Sequence, residues 1–536
     1  MKLNARQYWT YGLLLLVILF FALIRFHLRQ CPLERDEGEY AYAGQLMLQG
    51  IPPYQLVYSM KLPGTFAAYS VILALFGQTP GGIHLGLLLV NAATTFLVFL
   101  LTRRLFGLLA GLVAAASYAL LSTSPSVLGF AGHATHFVVL SALGGILLLL
   151  VAIETKRTWL FFASGVLLGL AFLMKQPGIL FAAFGGLYLV KCEYRDGRID
   201  WRALAPKAGA LVLGTVLPFA VTCLALFAAG SFQKFWFWTF QYSREYASLI
   251  GIREGLLNFR RTAHQVVRPA LWIWAIAGVG LTALGWNHKA RAQGWFLAGF
   301  FLFSCVAVCP GFYFRQHYFI LMLPAIALLA GVAVSAARQG LLEGRHRAAW
   351  AVLPILVFLV AFAQCIFVQR GYFFAMDPLT ACQAVYGDNP FPEAVQVGDY
   401  LKSHSVPGAR IAVVGSEPEI YFYAHRHSAT GYIYTYGLME RQTFALEMQQ
   451  EMIAEIEAAR PEFVLVVNVP MSFGRLPDSE TLIFSWTDSY VHSQYEKIGV
   501  VDMNQPTEYI WGGAAQAYQP RSRSFIDVFK RKQSAD

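Results

Sequence analysis

The chain has 536 residues, 57% of them hydrophobic and only 13% charged, against roughly 25% charged in a soluble domain. That depletion, with apolar runs close to bilayer length, excludes an ordinary soluble protein and reads as a polytopic membrane protein. The formal net charge of +10 matters through where the Lys and Arg sit, because basic loops set orientation.

Lys2 and Arg6 precede the first apolar run, 11–24, in the manner of a signal sequence. No small-x-small cleavage site follows, so an uncleaved first helix is expected. About eleven spans of roughly 17–25 residues are predicted, with cores at 10–28, 83–101, 108–126, 135–153, 158–175, 178–191, 208–229, 269–286, 294–310, 317–336 and 349–368. The apolar stretch 65–76 is too short and reads as an interfacial or re-entrant helix. With the N-terminus inside, the basic positions Arg103, Arg104, Lys156, Arg157, 191–207, Lys289, Arg291 and 338–347 all fall inside. The stretch 34–64, His133 to His136, Lys175 with Gln176, 231–268, 311–317 and everything after about 369 then fall outside. None of the spans carries Asp, Glu, Lys or Arg near its middle, which counts against an ion-coupled transporter.

The outer loop 230–268 is dense in aromatics at its start and alternates apolar and basic residues after it. It is expected to lie in the membrane interface, aromatics down and cations up, either as a plain aromatic belt or against an anionic headgroup or phosphate. After Gln369 the long apolar runs end. A helix at 394–405, a strand at 410–414, a helix at 449–459 and a strand at 464–467 suggest a small α/β domain over 371–536, following a transmembrane domain over 1–370 with its first outer loop at 29–82. Neither a nucleotide-binding fingerprint nor a Ser-His-Asp set is legible there. The seven cysteines lack metal-ligand spacing, and Cys305 with Cys309 reads as helix packing.

The chemistry-bearing stretch is 34–64. It opens on Glu34, Asp36, Glu37 and Glu39 with Arg35, and closes on a lone Lys61 before Pro63-Gly64. Acids held at a membrane surface are costly without a task, so they are functional candidates; a solvated loop with helix-capping acids is the plainer alternative. Asp36-Glu37-Gly38-Glu39-Tyr40 and then Lys61-Leu62-Pro63 resemble the first outer loop of GT-C glycosyltransferases, of the protein O-mannosyltransferase and lipid A aminoarabinose-transferase group. The G-L-A-F-L-x-K run at 169–175 and the F-R-x-x-Y-x5-P run at 314–324 add to the resemblance, which covers about 1–340. It implies a GT-C-like helical membrane protein with a C-terminal extracytoplasmic α/β domain, acting at the cell's inner or plasma membrane on a sugar carried by polyprenyl phosphate. It also implies that Asp36 is the catalytic carboxylate and that Lys61 holds the lipid phosphate, with Leu62 replacing the family's first proline. The family's Arg and Asp at the outer start of the fourth helix are replaced by Gly132-His133-Ala134-Thr135-His136.

Displacing a sugar from phosphate needs cations where leaving-group charge develops, and a carboxylate to take or steer the acceptor's proton. Asp36 suits the second task; Glu37 is either a second catalytic acid, a cap or a partner of Arg35. Lys61, Lys175 and Arg315, with His317 and Tyr318, suit the donor phosphate, against snorkelling, helix-dipole and belt alternatives. Tyr40, Tyr58, His133, His136 and Arg244 are the expected acceptor or substrate pocket. His133 and His136 have the spacing of a metal pair but no legible third ligand, so no cofactor or metal is expected. The expected activity is an inverting glycosyltransferase with a lipid, polysaccharide or protein acceptor; the alternatives are a protein O-mannosyltransferase and a non-catalytic carrier of polyprenyl-linked glycans.

Overall fold

The computed structural model describes residues 5–343 and 348–532. Lys2 and positions 344–347 of the last basic loop lie outside the described residues. The chain divides into two compact units, one of Met1–Arg29, His84–Leu224 and Ile250–Asp377, the other of Gln30–Ile83, Ala225–Leu249 and Pro378–Asp536. These units do not follow the linear division at residue 370: the first outer loop and the start of the 230–268 loop group with the C-terminal residues.

The first unit is helical, and the chain is an integral membrane protein. Among the described residues seven helices are long and apolar enough to cross a membrane: Gln7–His27, Pro80–Phe106, Ala134–Thr155, Trp201–Ala228, Ile252–Trp286, Gln316–Glu343 and Ala349–Val368. The other four predicted spans are helices too, but Leu108–Thr123, Thr158–Met174, Ile179–Glu193 and Gly294–Val308 have only 15–17 residues. At 1.5 Å per residue they rise about 22–26 Å, short of a hydrocarbon core of about 30 Å. Small residues let the helices meet closely. A Cβ on Gly165 would lie 2.2 Å from the Leu211 carbonyl oxygen, and one on Gly169 would lie 2.3 Å from that of Thr215. The 169–175 run therefore has a packing reason. Basic helix ends are paired with acids: Arg104 pairs with Glu154, two residues before Lys156, and Lys207 pairs with Glu193.

The second unit holds a six-stranded mixed sheet in the order His427–Ser428, Arg410–Val414, Phe463–Asn468, Phe525–Arg531, Tyr495–Asp502, Glu508–Trp511. The first three strands are parallel and the rest antiparallel. Strand Arg410–Val414 is buried from Ile411 onward, as a covered parallel strand should be. The helices Phe391–His404 and Ala445–Ala459 match the predicted ones to within a few residues. The predicted short helix is Gly64–Phe76.

The aromatic run after 230 departs from its expected place. Phe235, Trp238 and Tyr242 are buried, and Trp238 and Tyr242 join Tyr58, Tyr432, Met448 and Met452 in the core of this unit. Protein neighbours cover these three rings, so they are core rather than belt; Phe232, Phe237, Phe240 and Tyr246 are half-buried, and Trp236 is 42% exposed.

Candidate active site

The acid cluster folds as the start of a helix, Arg35–Leu48. Glu34 caps it, accepting the Glu37 backbone N–H at 2.9 Å. Glu34 thus caps the helix, and Arg35 pairs with Glu417 at 3.1 Å. Eleven of the helix's fourteen residues are buried, Glu37 and Glu39 among them. Asp36 keeps a side chain 15% exposed, against 3% for Glu39. Of the two, Asp36 is the more exposed acid.

Lys61 returns to this helix from 25 residues away. Its ammonium donates to Asp36 Oδ1 at 2.8 Å and to Glu39 Oε2 at 2.5 Å, over the Tyr40 ring at 4.6 Å and the Tyr434 ring at 5.5 Å. Its backbone is pinned: the carbonyl accepts from Tyr54 at 2.7 Å, and the N–H donates to Ser59 Oγ at 3.1 Å. Burial opposes the Lys61 charge, but Asp36 and Glu39 outweigh it and hold the ammonium well above its ordinary pKa. Burial pushes the Glu34 carboxyl well up, with Asp36 and Glu37 adding to the effect; it raises Glu39 too, against the pull of Lys61. The two ends of the stretch, read from sequence as serving separate partners, are one ion-paired group. An ammonium has three donors, and two are used here.

Sequence reasoning missed what holds this helix. Arg35 donates to the Ser416 carbonyl at 2.5 Å, Glu417 Oε1 at 3.1 Å, Tyr436 Oη at 3.1 Å and Asn389 Oδ1 at 3.2 Å. Glu417 is fully buried and accepts from Ser472 Oγ at 2.7 Å. Glu419, also fully buried, is pushed well up by burial, with Glu417 adding and Arg35 opposing. The available signal was Ser416-Glu417-Pro418-Glu419 directly after the strand Arg410–Val414, since sites form at the carboxyl ends of parallel strands.

Other predicted residues fall in two places. In the helical unit His133 stacks on His317 at 4.0 Å, His317 meets Tyr318 edge-on at 4.8 Å, and Lys175 Nζ lies 4.0 Å from the Tyr318 ring centroid. Three runs that were separate in sequence thus converge. His136, three residues on, is buried; Arg315 is exposed and lies over Tyr313. Arg25, not singled out from sequence, is buried and donates to the carbonyls of Gly129 and Ser122, both at 2.7 Å. In the other unit Tyr58 is a packing residue: its hydroxyl donates to Glu455 at 2.7 Å and its ring stacks on Trp238. Arg244 lines a cleft of about 380 Å³ with Trp236, Phe240, Gln241, Glu245 and Phe444.

Residues 61–230 match the family model described as dolichyl-phosphate-mannose-protein mannosyltransferase. A comparison with curated proteins by sequence returns no match. Among solved structures, ArnT from Cupriavidus metallidurans bound to undecaprenyl phosphate is similar with a TM-score of 0.62 at 16% identity, over 97% of each chain. The same protein in the apo state gives 0.62 at 15%, over 98% of each. The archaeal oligosaccharyltransferase AglB from Archaeoglobus fulgidus, in complex with an inhibitory peptide and a dolichol-phosphate, gives 0.55 at 14%, over 96% of this chain and 75% of that one. At these identities the likeness is one of fold.

Proposed function

We propose that this chain, an integral membrane protein with the GT-C glycosyltransferase fold, is an inverting transferase that moves a sugar from polyprenyl phosphate to an acceptor hydroxyl on the outer face of the membrane. The observation that carries the reading is the Asp36–Lys61 pair: one accessible carboxylate held 2.8 Å from one ammonium with a donor to spare. The acceptor oxygen attacks C1 of the sugar from the face opposite the phosphate. The C1–O bond to phosphate breaks, and its electron pair leaves with polyprenyl phosphate. Asp36 takes the hydroxyl proton, and the free Lys61 donor meets the developing charge on the leaving phosphate. One displacement without a covalent sugar–enzyme intermediate inverts the anomeric centre.

In the helical unit, Lys175 and Arg315, with His317 and Tyr318, are assigned to an anionic lipid headgroup, and His133 and His136 to substrate hydroxyls. Lys61 supplies the charge at the phosphate, so no divalent ion is needed and turnover is expected to survive EDTA. Loss on chelation with recovery on Mn²⁺ or Zn²⁺ would hand His133 and His317 to an ion instead.

The test is a single-turnover assay with donor and acceptor. An enzyme releases free polyprenyl phosphate in step with glycosylated acceptor; a carrier of polyprenyl-linked glycans releases none, which would refute the reading. The match of 61–230 to the mannosyltransferase family model favours protein O-mannosylation as a second reading. It requires mannose to pass from polyprenyl phosphate mannose to Ser or Thr of a peptide.

A further inference from the structure

We infer that Arg35 and Glu417 are positioning residues for Asp36, setting through a buried ion pair the roll of the helix that carries the catalytic acid. The inference rests on the role of Asp36 proposed above. Arg35 is the first residue of its helix and Asp36 the second, so their side chains leave the axis about 100° apart. Fixing the direction of one fixes that of the other.

Arg35 is fixed at four points, and its planar fork makes that geometry specific. The anchor is itself anchored. Ser472 Oγ donates to Glu417 Oε2 and accepts the Ser416 N–H at 2.9 Å, which ties the Arg35 acceptors to the turn Pro470–Phe473 that follows the neighbouring strand Phe463–Asn468. The segment after strand Arg410–Val414 grips the helix along its length. A Cβ on Gly38 would lie 2.6 Å from the Glu419 backbone nitrogen, a separation only glycine permits. The Leu33 N–H donates to Tyr423 Oη at 2.9 Å just before the helix, and Tyr42 Oη accepts the Ser428 N–H at 2.7 Å.

A buried ion pair is a poor source of stability compared with apolar packing, and its best use is to specify one geometry. Here the geometry at stake is small and consequential. A roll of about 10° moves a carboxylate about 6 Å from the helix axis by about 1 Å, and a misplacement of that size costs up to about 100-fold in rate.

Glu417→Gln keeps the size and removes the charge; Arg35→Lys keeps the charge and removes the fork. In each folded variant kcat is expected to fall about 10–100-fold while donor KM stays within about 3-fold. A pair that served stability alone would lower the melting temperature and leave kcat per folded molecule at the wild-type value. That result in either variant overturns the inference. Should Glu417→Gln not fold, Arg35→Lys decides alone, and failure of both to fold assigns the pair to stability and also overturns it. The two readings fail separately. Wild-type turnover in Asp36→Asn refutes the proposed function, whereas a dead Asp36→Asn beside a wild-type Arg35→Lys refutes only the positioning.

Discussion

Asp36 and Lys61 bond to each other, so each of their substitutions disturbs the other group, and the two variants separate by which step slows. Asp36→Asn keeps the shape and loses the basicity. It is expected to lower kcat by about 10²–10⁴, the usual worth of a general base, with donor binding nearly intact. If the acceptor is itself an ionised phosphate, the loss is smaller and flat with pH, because no proton has to be removed. Lys61→Ala is expected to weaken donor binding by about 1.5–3 kcal/mol, the range for a charged hydrogen bond, and to slow turnover too. It also leaves Asp36 and Glu39 facing each other without their cation, so its melting temperature should fall as well. A donor titration and a single-turnover rate on each variant check both. Asp36 and Lys61 were legible in sequence because they stand in a polar stretch just after an apolar run. Their bond was not, since Lys61 sits beyond a loop fixed by contacts made at Tyr54, Tyr58 and Ser59, which the sequence does not display. Glu417 was less legible still: its partner Arg35 lies 382 positions away.

Among the elements, the helix Arg35–Leu48 is the one that sequence patterning described least. It is buried against polar and aromatic neighbours on several sides, so no single apolar face marks it. The strands Arg410–Val414 and Phe463–Asn468 were legible because covered parallel strands read as continuous apolar runs. Tyr495–Asp502, Glu508–Trp511 and Phe525–Arg531 are half-covered and antiparallel, with mixed patterns that a short window does not resolve. The aromatic run after 230 was misread because tryptophan and phenylalanine serve a belt and a core equally well, and only tertiary context decides. Burial of acids beside the Arg35 helix has a consequence for pH. The Glu419 carboxyl is raised in the folded state, first by burial and then by Glu417, with Arg35 opposing; Glu34 is raised as well. A raised carboxyl binds its proton more tightly folded than unfolded. Its contribution is fully present below the unfolded value of about 4.3 and is lost as pH rises through the folded value. Wild-type melting temperature should therefore fall from pH 5 towards pH 9. Glu419→Gln, neutral throughout, should fall less steeply, match the wild type near pH 5 and exceed it at pH 8. Equal slopes in a thermal scan would show that Glu419 does not titrate in that window.

At the scale of the whole molecule, the eleven predicted spans are all helices, and what remains is which side each end faces. Two observations within the helical unit bear on it. Arg104 pairs with Glu154 close to Lys156, and Lys207 pairs with Glu193, so basic ends predicted to share a side do meet. His133 meets His317 and Lys175 meets Tyr318, so ends predicted to share the other side meet as well. The excess of Lys and Arg at the first set then argues for an N-terminus inside, with residues after about 369 outside. Cysteines placed at Arg198 and at Asp388, both exposed, test this in intact cells with an impermeant thiol reagent, read above the signal of the seven native cysteines. Arg198→Cys should resist labelling until the membrane is opened, and Asp388→Cys should react at once. The reverse pattern would put Asp36 and Lys61 on the inner side, where an outer-face acceptor cannot reach the carboxylate, and the proposed reaction would fall with the orientation. Equal labelling of both sites in sealed cells would mean that a crossing between them is missing, and Gly294–Val308, the one 15-residue helix among the five predicted spans in that interval, is the first candidate, because removing a single crossing between two sites brings them to the same side.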